Sequence, residues 1–320
     1  VIVAVSHARD EHAPPVLSAL RRMGAEAVLL DLADFPLRGR IALDYGSRAR
    51  GAPLRTPVGD LRPEEVRAVW WRRPEPFDLG RELSPADAAF SFRQVLEALA
   101  GLAASLDASW VNDPRRDAAA SLKTRQLALA ERLGLRVPAT LVTNDPDRAR
   151  AFLAKRGRAA TVHKALHGID ADWRPTRLVG PEDRARLESL RWAPVVFQEY
   201  VPGVDVRVTV VGDRLFPAEI DARKTASPED FRAVWREAPM APCALPAAVE
   251  RALRALVAEL GLRFAAIDLR RRDDGEHVFL EVNPSGQWLF VEERTGLPIT
   301  EAVARLLAGR RGRAPRTGGR

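Results

Sequence analysis

Strand–helix alternation through the first third of the chain, then a strand-rich last third, predicts a mixed α/β protein: a doubly wound parallel layer followed by an α+β part. Three observations carry this. Short apolar runs at 1–5, 27–32 and 68–71 alternate with helical patterns. From position 195 onwards strand patterns dominate, at 195–201, 204–211, 215–220, 264–269 and 277–282, with a long helical pattern at 247–260. With 320 residues, 46% hydrophobic and 29% charged, the chain is long enough for two or three subdomains.

Taken in order, 1–5 is a first strand, too short for a signal-peptide core and without a basic segment ahead of it. An amphipathic helix is expected over 13–23 and a second strand over 27–32. The 39–57 region is turn-rich and suits a hairpin. Strand 68–71 ends in Trp70 and Trp71, which point to opposite faces, so at least one belongs to the core. A long helix over 85–106 and a short strand at 110–111 close this part. No glycine-rich dinucleotide fingerprint follows the first strand, which argues against NAD there. A second section runs from about 113 to 198: helix 121–133, ended by Gly134 with Pro138 soon after, strand 138–143, helix 145–155 and strand 160–164. His167, Gly168, Ile169 and Asp170 then break the pattern as a loop. In the last section helices over 247–260 and 299–307 cover the strands.

The formal charge of +7 raises the question of nucleic acid. Five of those charges, Arg310, Arg311, Arg313, Arg316 and Arg320, sit in a Gly-rich tail over 309–320 that has no aromatic residue for stacking and is expected to be disordered. A sticky tail therefore outweighs specific nucleic-acid binding. One cysteine, Cys243, excludes an internal disulfide and a cysteine metal cluster and points to a reducing, cytoplasmic setting. No apolar run approaches a membrane span. The composition is biased so strongly towards Arg that the remaining lysines, Lys123, Lys155, Lys164 and Lys224, stand out. Lys123 and Lys164 are candidates for phosphate contacts, where a compact charge on a flexible stem is useful.

The chemistry concentrates near Glu281. Asp268 and Glu281 fall on two neighbouring strands, and Asn283 lies two residues beyond Glu281, on the same face. Two carboxylates and an amide form an all-oxygen set that suits Mg²⁺ bound together with nucleotide phosphates. The bland alternative is an exposed strand Glu and a turn-starting Asn. Gln198, Glu199, Tyr200 and Val201 end an apolar strand before Pro202 and Gly203, a hinge-like turn whose backbone can meet the edge of an adenine. Asp205 and Arg207 alternate on one strand face; either they pair with each other, or Arg207 serves a transferred phosphoryl group. Arg72 and Arg73 leave the sheet at its carboxyl end, where they either hold an acidic substrate or form structural ion pairs. Arg232, beside Asp230, is a further cation, and Gln287 and Trp288 either line an acceptor pocket or pack beneath it. There is no Walker A signature, zinc-type His pair or nucleophile elbow.

The order Lys123, Lys164, Gln198-Glu199-Tyr200-Val201, Asp205-x-Arg207, Asp268 and Glu281-x-Asn283 resembles the ATP-grasp ligase superfamily. Ala68 to Pro74 (Ala-Val-Trp-Trp-Arg-Arg-Pro), Asp230-Phe231-Arg232 and Asn283 to Trp288 (Asn-Pro-Ser-Gly-Gln-Trp) are similar to strings of the ribosomal-peptide maturases typified by microviridin ligases, the graspetide type. Phe231 departs from the family string, where Trp is expected. The resemblance covers the chain to about Leu307. It implies an ATP-grasp fold, with a doubly wound pre-ATP-grasp domain over 1–112, a small central α+β lid subdomain over 113–198, and a C-terminal antiparallel-sheet subdomain with the metal site over 199–308.

It also implies ATP and Mg²⁺, with two ions expected. Asp268, Glu281 and Asn283 would hold the metal. Lys123, Lys164, the 198–201 hinge and Asp205 would hold ATP. Arg207, Lys164 and Arg232 would be catalytic, and Arg72, Arg73, Gln287 and Trp288 would contact substrate. The implied reaction converts side-chain carboxylates of a ribosomal precursor peptide into acyl phosphates, which hydroxyls or amines capture as macrolactones or macrolactams. A homodimer is implied as well. The alternative within the same fold joins a free amino acid to a small molecule or a protein tail; a non-enzymatic alternative binds nucleotide or nucleic acid through the basic tail.

Overall fold

In the computed structural model, residues 1–45, 53–156, 160–166 and 176–309 are described. Strand β1 (Ile2–Val5) has four buried apolar residues, as expected of a strand covered on both faces. Helix α1 (Ala13–Arg22) follows, with Pro14 and Pro15 in its first turn, where a missing N–H is harmless. Then come β2 (Ala27–Leu30), the hairpin β3 (Leu54–Thr56) and β4 (Gly59–Leu61), β5 (Ala68–Trp71), the long helix α2 (Pro85–Ser105) and β6 (Ser109–Val111). The sheet order β2-β1-β5-β6 is parallel throughout, and β3 pairs antiparallel with β4. Strand β3 lies at the end of the turn-rich 39–57 region expected to hold a hairpin, and β4 just past it. Val3, Val5, Val69 and Val95 share this unit's core with Phe35, and Trp70 is buried while Trp71 is half-buried.

The second compact unit spans Arg115–Leu297. Helices α3 (Pro114–Ala120) and α4 (Lys123–Arg132) lead into β7 (Thr140–Thr143), α5 (Pro146–Arg156), β8 (Thr161–Lys164), β9 (Arg177–Leu178), the short α6 (Pro181–Ala185) and β10 (Val195–Glu199). These four strands form an antiparallel sheet of order β7-β10-β8-β9, on which Leu153, Leu187, Leu190 and Phe197 pack. A five-stranded antiparallel sheet follows, built from β11 (Val204–Val211), β12 (Arg214–Ile220), β13 (Met240–Pro242), β14 (Phe264–Arg271) and β15 (His277–Asn283), in the order β13-β12-β11-β14-β15. Between β13 and β14 runs α7 (Ala247–Leu260). Its Leu253, Leu256, Val257 and Leu260 recur at helical spacing and bury against Val206, Val208, Val210 and Ile267 of the sheet. Gly261, at φ 70°, ends this helix in the left-handed conformation.

Helix α8 (Leu289–Thr295) completes the second unit, and α9 (Ile299–Ala308) belongs to the first, packed on α1 and β5 with the Ala308 carbonyl accepting from Arg67. Residues 298–309 thus belong with the first unit. Sequence periodicity located most of these elements but passed over α3, α6, α8, β9 and β13, each seven residues or fewer and too short for a period to show. The loop expected over His167–Asp170 and the basic tail from Arg310 onwards lie outside the described residues. No described helix is long and apolar enough to cross a membrane.

Candidate functional site

Within the second unit, the facing surfaces of its two sheets border a cleft of about 910 Å³, open solvent included. Asp268 on β14 and Glu281 on β15 lie opposite each other in the strand register, so their side chains leave the same face. A bulge follows directly, between Asp268 and Leu269. Around these two carboxylates the chain gathers cations from separate elements. Lys123 Nζ, at the first position of α4, donates to Glu281 Oε2, and Arg232 Nη1 lies 3.7 Å from Glu281 Oε1. Lys164, at the end of β8, is close enough to feel both Glu281 and Lys123.

The titrations follow from this crowding. Burial pushes the Lys164 ammonium down to about 8, against the pull of Glu281 and with the push of Lys123. Burial alone would raise Glu281, yet Lys123, Lys164 and Arg232 together hold its carboxyl below the usual carboxylate range. Asp268 goes the other way: burial and the Glu281 charge raise it, and Arg207 only partly offsets them. Burial also raises Asp205, to about 7, although Arg270 opposes the shift.

Arg207 lies directly opposite Asp268 in the β11–β14 register, and its Nη1 donates to both carboxylate oxygens at 2.6 and 2.8 Å. Its Nη2 donates to the Gln287 carbonyl at 3.1 Å. The expected pairing of Asp205 with Arg207 is therefore not the one formed. Asp205 instead meets Arg270, whose Nε is 3.2 Å from Oδ1, and the two strand positions face each other in the register. Arg270 was not singled out from sequence, although it stands two residues beyond Asp268, on the same face. It also ties down the cleft rim by donating to the carbonyls of Gly203 and Pro228. The Oδ2 of Asp205 is buried and meets no hydrogen-bond donor among the described residues.

The hinge segment lines the cleft with Gln198, Glu199, Tyr200 and Val201. The Glu199 and Tyr200 N–H groups donate to the carbonyls of Ala139 and Ala160 at 2.8 and 3.0 Å. Among the described residues, no backbone hydrogen bond engages the N–H or C=O of Val201. Gly203 turns the chain at φ 147°, where a Cβ would lie 2.1 Å from the Arg271 carbonyl oxygen. Only glycine fits there.

Arg232 is gripped by Asp230, with Nε donating to Oδ1 at 2.7 Å and Nη2 to Oδ2 at 2.6 Å. Burial works against its charge, but Asp230 and Glu281 raise its pKa above the ordinary value. Asn283 is exposed, and its Oδ1 accepts from the Ser285 N–H at 3.0 Å; it does not line the cleft with the two carboxylates. Trp288 is fully buried, 5.1 Å from the Phe264 ring, so of the two alternatives it packs beneath. Gln126, one turn along α4 from Lys123, was also missed. Its amide donates to the Ala120 and Val282 carbonyls, both at 2.7 Å, and its Oε1 accepts from the Val282 N–H at 3.0 Å, which holds β15 beside Glu281.

Arg72 belongs to the first unit. It is buried with its Nε 3.4 Å from Asp10 Oδ2, and the half-buried Arg73 follows it. Among the described residues no group of three or more His, Cys, Asp or Glu side chains could hold a metal by itself. Two carboxylates with oxygen donors only still fit Mg²⁺, which keeps several waters or substrate phosphates in its shell.

Two antiparallel sheets facing each other over a cation- and carboxylate-lined cleft, after a parallel α/β unit, define an ATP-grasp architecture. Residues 120–307 match the RimK-like ATP-grasp domain, and residues 1–118 match the MvdD pre-ATP grasp domain. The chain belongs to the RimK-like ATP-grasp family. Among solved structures, the macrocyclase MdnC bound with precursor peptide MdnA from Microcystis aeruginosa superposes with a TM-score of 0.86 at 30% identity, over 96% of this chain and 99% of that one. The ATP-grasp ligase PsnB complexed with minimal precursor, Mg and ADP gives 0.76 at 27% identity, over 96% of each chain. A probable alpha-L-glutamate ligase 1 of Shewanella baltica is 30% identical over 208 residues, 60% of this chain and 66% of that protein. The match thus spans just under two thirds of that relative's length.

Proposed function

We propose that this protein is an ATP-dependent, ADP-forming ligase. It activates side-chain carboxylates of a ribosomal precursor peptide as acyl phosphates and closes ester or amide crosslinks. The observation that carries this reading is full-length similarity to a peptide macrocyclase, over 96% of this chain, together with a charged cleft holding Asp268, Glu281, Lys123 and Lys164.

In this reading Val201, whose N–H and C=O meet no backbone partner among the described residues, receives the adenine edge with its hinge neighbours Gln198, Glu199 and Tyr200. The unsatisfied Asp205 oxygen accepts from a ribose hydroxyl. Asp268 and Glu281 would hold Mg²⁺, with Asn283 as the third candidate, and the ion would supply positive charge against the phosphates. Lys123, Lys164 and Arg232 shift charge from Glu281 to the phosphates. Arg207 orients Asp268 and favours its ionised form against burial. The substrate carboxylate attacks the γ-phosphorus, ADP leaves, and a hydroxyl or amine of the same peptide displaces phosphate from the acyl carbon. Positioning and electrostatics supply most of such catalysis, and no protein nucleophile is needed. Half-buried Arg73 is the candidate for steering acidic peptide side chains, with Arg72 buried beside it against Asp10, and Gln287 is the candidate for the acceptor side, with Trp288 supporting it.

The test is intact-mass analysis of a precursor peptide encoded beside this chain's gene, after incubation with enzyme, ATP and Mg²⁺. Loss of one water per bond, matched by ADP release, is the expected result. An unchanged peptide, with ADP release that depends on an added free amino acid, would instead support the amino-acid ligase reading that the glutamate-ligase relatives favour.

A further inference from the structure

The guanidinium of Arg270 joins the hinge end of β11 to the loop that leads into Arg232. Its Nε lies 3.2 Å from Asp205 Oδ1, and its Nη1 donates to the Gly203 carbonyl of the hinge turn at 3.2 Å. The same Nη1 donates to the Pro228 carbonyl at 3.0 Å, and Nη2 donates to the Glu229 carbonyl at 3.4 Å. Its Cζ lies 5.8 Å from the centre of the Tyr200 ring. Arg270 is 4% exposed, so water screens these contacts little. A planar fork of N–H donors can hold such an arrangement in one geometry; an ammonium on a flexible stem cannot.

Directly after Glu229, Asp230 grips Arg232, and Arg232 Nη1 lies 3.7 Å from Glu281 Oε1. Among the described residues, the backbone hydrogen bonds of 225–234 close within the loop itself: Thr225 to Ala222, Asp230 to Ser227 and Val234 to Phe231. Side chains therefore set the place of this loop. Phe231 and Val234 join a small apolar cluster with Ile220, and Asp230 accepts from the Thr176 N–H at 3.2 Å. Apolar packing is non-directional. The directional bonds from the sheet to the loop backbone at 228 and 229 come from Arg270.

Asp205 and Arg232 thus share one brace. The Oδ2 of Asp205, buried and without a donor among the described residues, is placed to accept a hydroxyl. We infer that Arg270 is a positioning residue that couples the sugar of a bound nucleotide to Arg232. A ribose hydroxyl that engages Asp205 fixes the guanidinium, and the guanidinium fixes the loop that presents Arg232 to Glu281. The inference rests on the assignment of Asp205 to ribose in the proposed function. Its consequence is that the sugar hydroxyls act on the rate as well as on binding.

Hydrogen exchange on the full chain, saturated with Mg·ADP or with its 2′,3′-dideoxy analogue, tests this without turnover. The two carry the same base and phosphates, so their difference isolates the sugar hydroxyls. Both are expected to protect 198–201. ADP alone should slow exchange over 228–234 further, by about two- to tenfold, as one net hydrogen bond would. Arg270→Lys should abolish that difference and keep the hinge protection. It should also lower kcat for peptide crosslinking on the order of 10²-fold, with a smaller change in KM for ATP. Equal exchange over 228–234 with the two nucleotides in the wild type overturns the inference, whether or not the variant folds. So does an ADP-specific slowing that survives in Arg270→Lys. A hinge left unprotected by both nucleotides removes the ribose assignment and the inference with it. The expected slowing in an enzyme that leaves the precursor peptide unchanged in mass upholds the coupling and counts against the peptide-ligase reading alone.

Discussion

Both units bury arginine–aspartate pairs, but they dispose of the charge differently. In the first unit Arg72 and Asp10 close on each other beside the end of β1. Burial alone would raise Asp10, yet hydrogen bonds from His12 and Ser6 and the Arg72 charge hold its carboxyl below the ordinary range. In the second, Arg207–Asp268 and Arg270–Asp205 stand at the wall of an open cleft, and Asp205 and Asp268 are pushed upwards despite their partners. A carboxylate held low by several surrounding donors, as Asp10 is, is committed to the fold. A pair with carboxylate capacity left over is arranged to receive something else.

Substitutions can break that contrast. The largest effect is expected from Glu281→Gln: it keeps the volume but removes the charge that three cations surround. Turnover should fall on the order of 10²–10³-fold, with a thermal midpoint near that of the wild type, measured by ADP release and calorimetry. Asp10→Ala should do the reverse. Removing one partner of a buried pair costs about 3–5 kcal/mol of stability, read by denaturant unfolding, with turnover per folded molecule preserved. A raised KM for peptide with little loss of stability would instead make the Arg72 segment part of substrate recognition.

Gln126→Ala sharpens the comparison inside the second unit. It leaves the Val282 backbone without its side-chain partner, costing about 1–3 kcal/mol, and should lower turnover about 10–100-fold by loosening the Glu281 strand. The smallest effect concerns pH. Asp205 has a folded pKa of about 7 against an ordinary 3.8, so the native state binds more protons across that window and stability falls as pH rises through it. Lys164 has a folded pKa of about 8 against 10.5, so across its window stability rises with pH. Asp205→Asn should flatten the lower slope and Lys164→Met the upper one, in thermal melts without nucleotide.

Much of the fold was legible in the order of amino acids alone. The strand expected over 204–211 is β11, all eight of whose residues are buried, and the helix expected over 247–260 is α7, with its Leu253, Leu256, Val257 and Leu260 stripe. Segments such as α3 and α8 escaped because two turns carry too little periodicity. At the site, Lys123, Lys164, Asp268 and Glu281 were legible as residue types in a telling order, whereas Arg270 and Gln126 were not. Both act through partners distant in the chain: Gln126 and Val282 are 156 residues apart.

The same distinction explains the Arg207 pairing. Alternation along one strand made Asp205 and Arg207 neighbours on a face, and that much the sequence by itself determined, as it did the strands that carry Asp268 and Glu281. Which cation meets which carboxylate depends on register between β11 and β14, whose paired Arg207 and Asp268 lie 61 residues apart. Register is settled by burial over the whole sheet, since a one-residue slip would turn every core side chain to the wrong face. Only the tertiary structure could therefore decide that Arg207 braces Asp268, that Arg270 holds Asp205, and that Lys123 and Arg232 converge on Glu281.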